Sequence, residues 1–229
     1  MLKHTIPVSD FLASLPLFRG FEPADLRRIA EGIQAVDAPK GMVLSRRGDR
    51  CLGFYVIVFG QVKLALQAQR GNEKIVEILG RGQTFGEFAM FLDQPYRSTA
   101  ETLVDSKLLH IPKSIVMVEL ERQPAFARRM IAALCRRLSG LFAEIEGYTL
   151  RNGTQRVSAY LLNQMEAPEE LAAADIILPV QKGIIASHLN LTHEHFSRIL
   201  HDLVATGLIE VKGRAVRILD TERLRSIAA

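Results

Sequence analysis

The spacing of apolar residues changes along the chain, and each change marks a different kind of secondary structure. Residues 8–35 have a helical spacing, which a turn at residues 20–23 interrupts. From about residue 38, short β-rich runs alternate with glycines. Such short strands with glycine turns predict an antiparallel barrel or roll. The segment Met90–Arg97 is predicted to be a loop inserted into it.

A long helix is predicted from about Pro124. Its apolar residues recur alternately three and four positions apart, as the a and d positions of a coiled coil do. These seam residues are Ile131, Leu134, Leu138, Leu141, Ile145 and Tyr148. One interpretation is a helix that packs on its own β-domain. We favour the other, a parallel homodimer helix, because the seam is longer than one small β-domain can cover.

The last part of the chain carries a helix-turn-helix pattern. Asn152 is a suitable N-cap for a helix over residues 152–165. A later helix over residues 181–189 is followed by Asn190 at the turn, and Thr192 can cap the second helix of the pair. A β-hairpin that turns at Lys212–Gly213 then completes a winged helix-turn-helix domain.

The predicted fold class is therefore α+β, in three parts. Residues 1–126 form a β-roll of the double-stranded β-helix or jelly-roll type, which the family resemblance given below implies is an effector-sensing domain. Residues 127–151 form the dimerisation helix and a hinge. Residues 152–229 form the winged helix-turn-helix domain, which we expect to bind DNA.

Charge agrees with a nucleic acid partner but does not require one. The net charge is +4 and the sequence pI is about 9.2, yet residues 152–229 contain 8 Lys and Arg against 9 Asp and Glu. The domain is not basic overall, so we expect a local contact face rather than non-specific binding. Its predicted DNA contacts are Thr192, His193, Glu194, His195, Ser197, Arg198, Lys212 and Arg214. A winged helix that binds a protein instead is the alternative.

Cysteine and histidine usage argues against metal chemistry. Cys51 and Cys135 are too few for a zinc site, a disulfide framework or a four-cysteine iron–sulfur cluster. His110 lies in an apolar strand, where a core role is the simpler interpretation. The N-terminal residues contain no uninterrupted apolar signal region, and no stretch is long enough to span a membrane. We therefore expect a cytoplasmic protein with no membrane contact.

The order of roll, long helix and winged domain resembles the Crp/Fnr family of bacterial transcription regulators, which includes the catabolite activator and the fumarate–nitrate regulator. The resemblance is carried by residues 85–98 (FGEFAMFLDQPYRS), Arg136–Leu138, Arg156 and residues 192–200 (THEHFSRIL). Within the family, residues 144–157 and 196–203 resemble the branch that regulates dissimilatory nitrate respiration.

The resemblance implies that residues 86–98 are a phosphate-binding cassette for a cyclic nucleotide, cAMP or cGMP. Gly86 would open a short helix whose N–H groups face the phosphate. Glu87 would accept a hydrogen bond from the ribose 2′-hydroxyl. Arg97 and Ser98 would donate to the phosphate.

Two other interpretations of this site stay open. In the first, Glu87 and Arg97 pair with each other and the site is empty or remodelled. In the second, Leu141 and Phe142 form an apolar wall that faces haem. These two residues stand where the catabolite activator has two hydroxyl residues that contact adenine, and the resemblance to nitrate-respiration regulators implies haem for nitric oxide sensing.

The resemblance also implies a DNA sequence. Glu194, Ser197 and Arg198 share one helical face and form the E-x-x-S-R of the fumarate–nitrate branch. The expected target is therefore TTGAT-N4-ATCAA rather than the TGTGA half-site of the catabolite activator.

The leading function is an effector-gated, homodimeric transcription regulator that works with RNA polymerase. A nucleotide-binding regulatory subunit of an enzyme is a second class, but such a subunit would not need a winged helix. An enzyme is a third class, which the sequence does not favour because it contains no P-loop, nucleophile elbow or metal-ligand cluster.

Overall fold

The structure is a computed structural model that describes residues 7–67, 73–165 and 173–228. Within the long helix, the side chains of Ala143, Glu144 and Tyr148 lie outside the described part. By contacts the chain divides into a unit of residues 1–138 and a unit of residues 139–229. Each unit is described by itself below.

The N-terminal segment is helical, as its spacing predicts. Helix α1 (Val8–Ser14), a 3₁₀ turn (Pro16–Phe18) and helix α2 (Pro23–Glu31) follow one another, with Pro23 at the first position of α2. Phe18, Phe21 and Phe126 form a buried aromatic cluster with ring centroids 5.5–5.6 Å apart. The predicted helical segment ends slightly early, because Gln34 already belongs to the first strand.

Among the described residues, eight antiparallel strands form the roll that the glycine-punctuated runs predict. They are β1 (Gln34–Ala38), β2 (Val43–Ser45), β3 (Gly53–Phe59), β4 (Val62–Gln67), β5 (Glu73–Leu79), β6 (Thr84–Phe85), β7 (Thr99–Thr102) and β8 (Ser106–Pro112). They make two four-stranded sheets with the orders β1-β8-β3-β6 and β2-β7-β4-β5. Ile57, Leu64, Leu79, Phe85 and Leu108 belong to one buried apolar cluster with strands from both sheets. The β-roll prediction is confirmed.

The segment after β6 differs from one prediction. A short helix, α3 (Glu87–Phe91), starts directly after Gly86, so the predicted loop over Met90–Arg97 is wrong at its first two residues. Met90 is fully buried and packs into the same core as α1 and α2. An apolar residue in a five-residue helix gives too short a pattern for sequence periodicity to detect.

Two helices follow the roll, α4 (Lys113–Arg122) and the 27-residue α5 (Pro124–Leu150). Four predicted seam residues of α5 lie on its surface with 55–61% (Ile131, Leu138, Ile145) or 37% (Leu141) of their area exposed. Leu134, by contrast, is half-buried and packs against the N-terminal core, so its own chain covers part of this seam residue. The Tyr148 side chain lies outside the described residues.

The second unit contains the predicted helix-turn-helix. Helix α6 (Gly153–Asn163) begins with a capping box in which Asn152 and Gln155 exchange hydrogen bonds. Strand β9 (Ala174–Ile177) precedes α7 (Lys182–His188) and α8 (His193–Ala205), and β10 (Ile209–Lys212) and β11 (Ala215–Ile218) form the wing before α9 (Thr221–Ala228).

Two details of the wing differ from the prediction. Lys212 pairs with Ala215, so the turn lies at Gly213–Arg214, one residue later than predicted. The sheet has a third strand, because β9 pairs with β11 in the order β10-β11-β9. The sequence does not predict β9, because its four residues are too few to give a periodic pattern.

Candidate functional sites

The predicted cassette begins with a glycine whose backbone no other residue fits well. Gly86 has φ of 99° and precedes helix α3. A Cβ atom at this position would lie 3.2 Å from the Gly53 carbonyl oxygen and 3.2 Å from Tyr96 Cε1. Both the left-handed φ and the close approach therefore favour glycine. This turn places Glu87, the next residue, inside the roll, where it is 5% exposed.

Glu87 has a partner that the sequence did not indicate. Arg137 of helix α5 places Nη1 3.3 Å from Glu87 Oε2 and 2.8 Å from the Thr84 carbonyl oxygen, and Nη2 2.5 Å from Glu77 Oε2. One guanidinium thus joins α5 to β5, β6 and α3. The sequence does not indicate Glu77 as a site residue. It indicates Arg137 only as part of the Arg136–Leu138 motif that carries the family resemblance.

Glu77 and Glu87 share this single guanidinium in a partly desolvated site. Burial raises the pKa of Glu77 and the negative charge of Glu87 raises it further, whereas Arg137 opposes the rise. Among the described residues, neither Oε1 atom accepts a hydrogen bond. The free oxygen of Glu87 can therefore accept one from a ligand.

Arg97 and Ser98 lie at the surface end of the cassette with donors to spare. Arg97 is exposed, and within the described part of the chain its side chain donates a hydrogen bond only to Gln94, with Nη2 3.0 Å from Oε1. Ser98 is half-buried and makes no hydrogen bond there. The alternative in which Arg97 pairs with Glu87 is wrong, since each side chain has a different partner. Both residues fit a role in holding an anion.

The second candidate site is the surface of helix α8. Asn190 adopts φ of 57° at the turn, and Thr192 caps α8 by accepting a hydrogen bond from His195 N at 3.2 Å. The inward face is fully packed, as predicted, by Phe196, Ile199, Leu200 and Leu203. These contacts fix which residues of α8 face outward.

The outward face presents the predicted reading residues. Glu194 and Arg198 are exposed and Ser197 is half-buried. Hydrogen bonds from its own backbone and from Thr192 lower the pKa of Glu194, so this carboxylate is ionised at neutral pH. The other predicted contacts, His193, His195, Lys212 and Arg214, are all exposed. Arg156, which had no predicted role, donates from Nη1 to the Leu189 carbonyl oxygen at 2.8 Å and so joins α6 to the turn.

Comparison with known proteins identifies both halves of the chain. A profile described as "Cyclic nucleotide-binding domain" matches residues 35–123, and one described as "Crp-like helix-turn-helix domain" matches residues 155–227. DNR from Pseudomonas aeruginosa is 35% identical, with 95% of this chain and 96% of that chain covered and a TM-score of 0.50. The chain belongs to the Crp/Fnr family.

Two further relatives support this assignment. The "CRP-like cAMP-activated global transcriptional regulator" of Mycobacterium tuberculosis is 26% identical over 95% of this chain and 98% of its own length. FixK2 from Bradyrhizobium japonicum, at 22% identity, shares the fold with a TM-score of 0.76 over 86% of this chain and 98% of that chain. This Crp/Fnr protein is therefore a transcription regulator with an effector-binding domain and a DNA-binding domain.

Haem can be tested against the residues of the roll. His110 is half-buried, its ring lies 4.8 Å from the Tyr55 ring, and its Nε2 would lie 2.8 Å from a Cβ on Gly53. Burial lowers the pKa of His110. Iron binds a histidine through a ring nitrogen in the plane of the ring, and the Gly53 backbone closely approaches Nε2, so this nitrogen does not fit a haem ligand. Leu141 and Phe142 lie on α5 with 37% and 65% of their area exposed.

Two general properties complete the description of the sites. Among the described residues, no three His, Cys, Asp or Glu side chains lie close enough to hold a metal ion. Within residues 7–67, 73–165 and 173–228, no helix has the length and hydrophobicity that crossing a membrane requires.

Proposed function

We propose that this Crp/Fnr protein is a homodimeric, cytoplasmic transcription regulator whose DNA affinity is set by a cyclic nucleotide bound at residues 86–98. The observation that carries the proposal is the set of unused hydrogen-bonding groups there. Within the part of the chain that the structure describes, Arg97 has no acidic partner, and neither the Ser98 hydroxyl nor one oxygen of the buried Glu87 makes a hydrogen bond. A phosphate and a ribose hydroxyl would use all three.

Calorimetric titration with cAMP and with cGMP tests this proposal. Replacing Arg97 with Gln removes the charge-assisted contact with the phosphate, which should weaken binding by about 2–5 kcal/mol. Arg81→Gln is the matched control, because Arg81 is an exposed arginine outside the cassette. If the unmodified protein gives no heat with either nucleotide, the cyclic nucleotide assignment is wrong.

The haem alternative has weaker support. The apolar pair Leu141 and Phe142 agrees with it, but the packing of His110 does not. An absorbance spectrum of the purified protein separates the two candidates, since a haem protein has a Soret band. A Soret band with stoichiometric haem would replace the cyclic nucleotide in this proposal.

We propose helix α5 as the dimer contact, through its exposed apolar residues. Ile131, Leu138, Phe142 and Ile145 follow one another at intervals of seven, four and three residues, and each has more than half of its area exposed. Such a stripe on one helical face is typical of a helix that packs against a partner. A second copy of the same chain is the partner that places two winged domains on a palindrome.

In the proposed mechanism, the effector prefers one of two dimer arrangements and so shifts their populations. Arg137 bonds to Glu87 within the cassette and lies one residue before Leu138 on α5. A ligand that competes for Glu87 would therefore act directly on the helix that carries the dimer contact.

The DNA target follows from helix α8. Arg198 can donate in bidentate fashion to guanine, and the ionised Glu194 can accept from a cytosine amino group. A gel-shift titration should favour TTGAT-N4-ATCAA over TGTGA-N6-TCACA at fixed salt and with effector present. The opposite preference would contradict the half-site assignment. RNA polymerase is the partner that we expect on such promoters.

A further inference from the structure

A segment rich in arginine runs beside the cassette. Beyond β2, which ends at Ser45 opposite Ala100, the backbone N–H of Arg47 donates to Thr99 Oγ1 at 3.3 Å. The Gly48 N–H donates to the Tyr96 carbonyl oxygen at 2.8 Å, and the Tyr96 N–H donates to the Asp49 carbonyl oxygen at 2.9 Å. Residues 46–49 therefore lie directly alongside residues 96–99.

The same segment reaches the other end of the cassette. Cys51 Sγ lies 3.1 Å from the Gly53 carbonyl oxygen and 3.4 Å from the Gly86 carbonyl oxygen. Residues 46–51 thus follow the cassette from Thr99 to Gly86. Arg46, Arg47, Arg50 and Arg97 are all exposed on these two adjoining segments, and together we call them the arginine rim.

The charge of the arginine rim is not neutralised by the part of the chain that the structure describes. None of its four side chains forms an ion pair there, whereas Arg28 and Arg137 each contact two carboxylates. The single acidic residue of the segment, Asp49, accepts from the Arg46 backbone N–H at 2.8 Å. The cassette itself adds two carboxylates, Glu87 and Asp93, but each is paired with a cation, Arg137 and Lys113 respectively. Asp49 alone therefore offsets the four arginines, which leaves a net charge of +3 beside the cassette.

We propose that the arginine rim attracts small anions to the cassette and makes the sensor domain selective for anionic over neutral effectors. The inference rests on the proposed function only in placing the effector site at residues 86–98. Clustered charges of one sign raise the local concentration of an oppositely charged ligand and its association rate. The effect extends over the Debye length, about 10 Å at 0.1 M salt, so the arginines need not touch the ligand.

The thiol of Cys51 can report the electrostatic potential at the rim without any effector. In a Cys135→Ser background, Cys51 is the single thiol, and its half-buried position leaves it accessible to small reagents. The measurement is the rate of thiol–disulfide exchange with a doubly negative aromatic disulfide, divided by the rate with an uncharged dipyridyl disulfide. The uncharged reagent corrects for any change in accessibility or folding.

The rim variant combines Arg46→Gln, Arg47→Gln and Arg50→Gln. For charges about 10 Å away, Coulomb's law with screening predicts that the ratio falls about 20-fold at 10 mM salt and about fivefold at 0.1 M. The control variant combines Arg19→Gln, Arg81→Gln and Arg122→Gln, which removes the same net charge from exposed sites elsewhere. Its ratio should stay close to that of the parent. Equal ratios in the two variants would overturn the proposal.

A second measurement tests the consequence for an effector. With a fluorescent cyclic nucleotide, the rim variant should associate about fivefold more slowly at 10 mM salt, with an unchanged dissociation rate. A faster dissociation at unchanged association would mean direct contacts instead of attraction, and would contradict the proposal. If the parent protein binds no cyclic nucleotide, the proposed function fails, while the thiol measurement still decides the arginine rim.

Discussion

Removing the Arg137 guanidinium should destabilise the unit of residues 1–138, and the size of the effect should depend on pH. The side chains of Arg137, Glu77 and Glu87 are 27%, 20% and 6% exposed, so this group of charges is largely shielded from water. In Arg137→Gln, two carboxylates lose their cation and the Thr84 carbonyl loses a charged donor. Removing one partner of a buried ion pair lowers the free energy of unfolding by about 3–5 kcal/mol. We expect about 2–3 kcal/mol, because water reaches part of this site.

The pH dependence follows from the pKa of Glu77. Burial already raises this pKa, and Arg137 opposes the rise, so the variant should raise it further. A carboxyl group whose folded pKa lies above its unfolded pKa binds its proton more tightly in the folded state. Its stabilising effect is fully present below the unfolded pKa and is lost as the pH increases through the folded pKa. The cost of Arg137→Gln should therefore be larger at pH 8 than at pH 5.

The assay is a urea titration at pH 8 and at pH 5. Unfolding of the first unit is read from the hydrogen exchange of peptides that contain β5 and β6. Arg136→Gln is the matched control, since Arg136 is the exposed neighbour on the same helix. Adding Glu77→Gln to Arg137→Gln should restore part of the stability at pH 8, because one unpaired charge is removed. A loss below about 0.5 kcal/mol, or an equal loss at both pH values, would refute the view that Arg137 compensates buried carboxylates.

Three further predictions address the other sites. Leu138→Glu with Ile145→Glu places charges on the exposed stripe of α5 and should give a monomer in light scattering, and a stable dimer would contradict the proposed contact. Arg198→Ala should weaken specific DNA binding by about 1–3 kcal/mol and relax base choice at one guanine, as measured by gel shift against single-base variants. Asn152→Ala should lower the stability of the second unit by about 1 kcal/mol in urea unfolding, because the capping box of α6 is lost.

Local features were predictable from the sequence because a few neighbouring residues determine them. The N-caps Asn152 and Thr192 each accept a hydrogen bond from the backbone N–H three residues later. The left-handed turn at Asn190 is predictable because asparagine tolerates a positive φ. The buried face of α8 follows from helical periodicity alone. Resemblance to a known family then added the short helix after Gly86, which no periodicity could indicate.

The contacts between Arg137 and the predicted cassette were decided only by the tertiary structure. Arg137 meets Glu77 and Glu87 across 60 and 50 residues of sequence, and these contacts exist only because strand pairing and helix α5 bring the three side chains together. The half-burial of Leu134, one helical turn before Leu138, likewise depends on which side of α5 faces its own core. A 3-4 spacing shows that a helix has an apolar face, but it cannot show how much of that face the same chain covers. Long-range packing supplies that answer, because burial depends on elements that are distant in sequence.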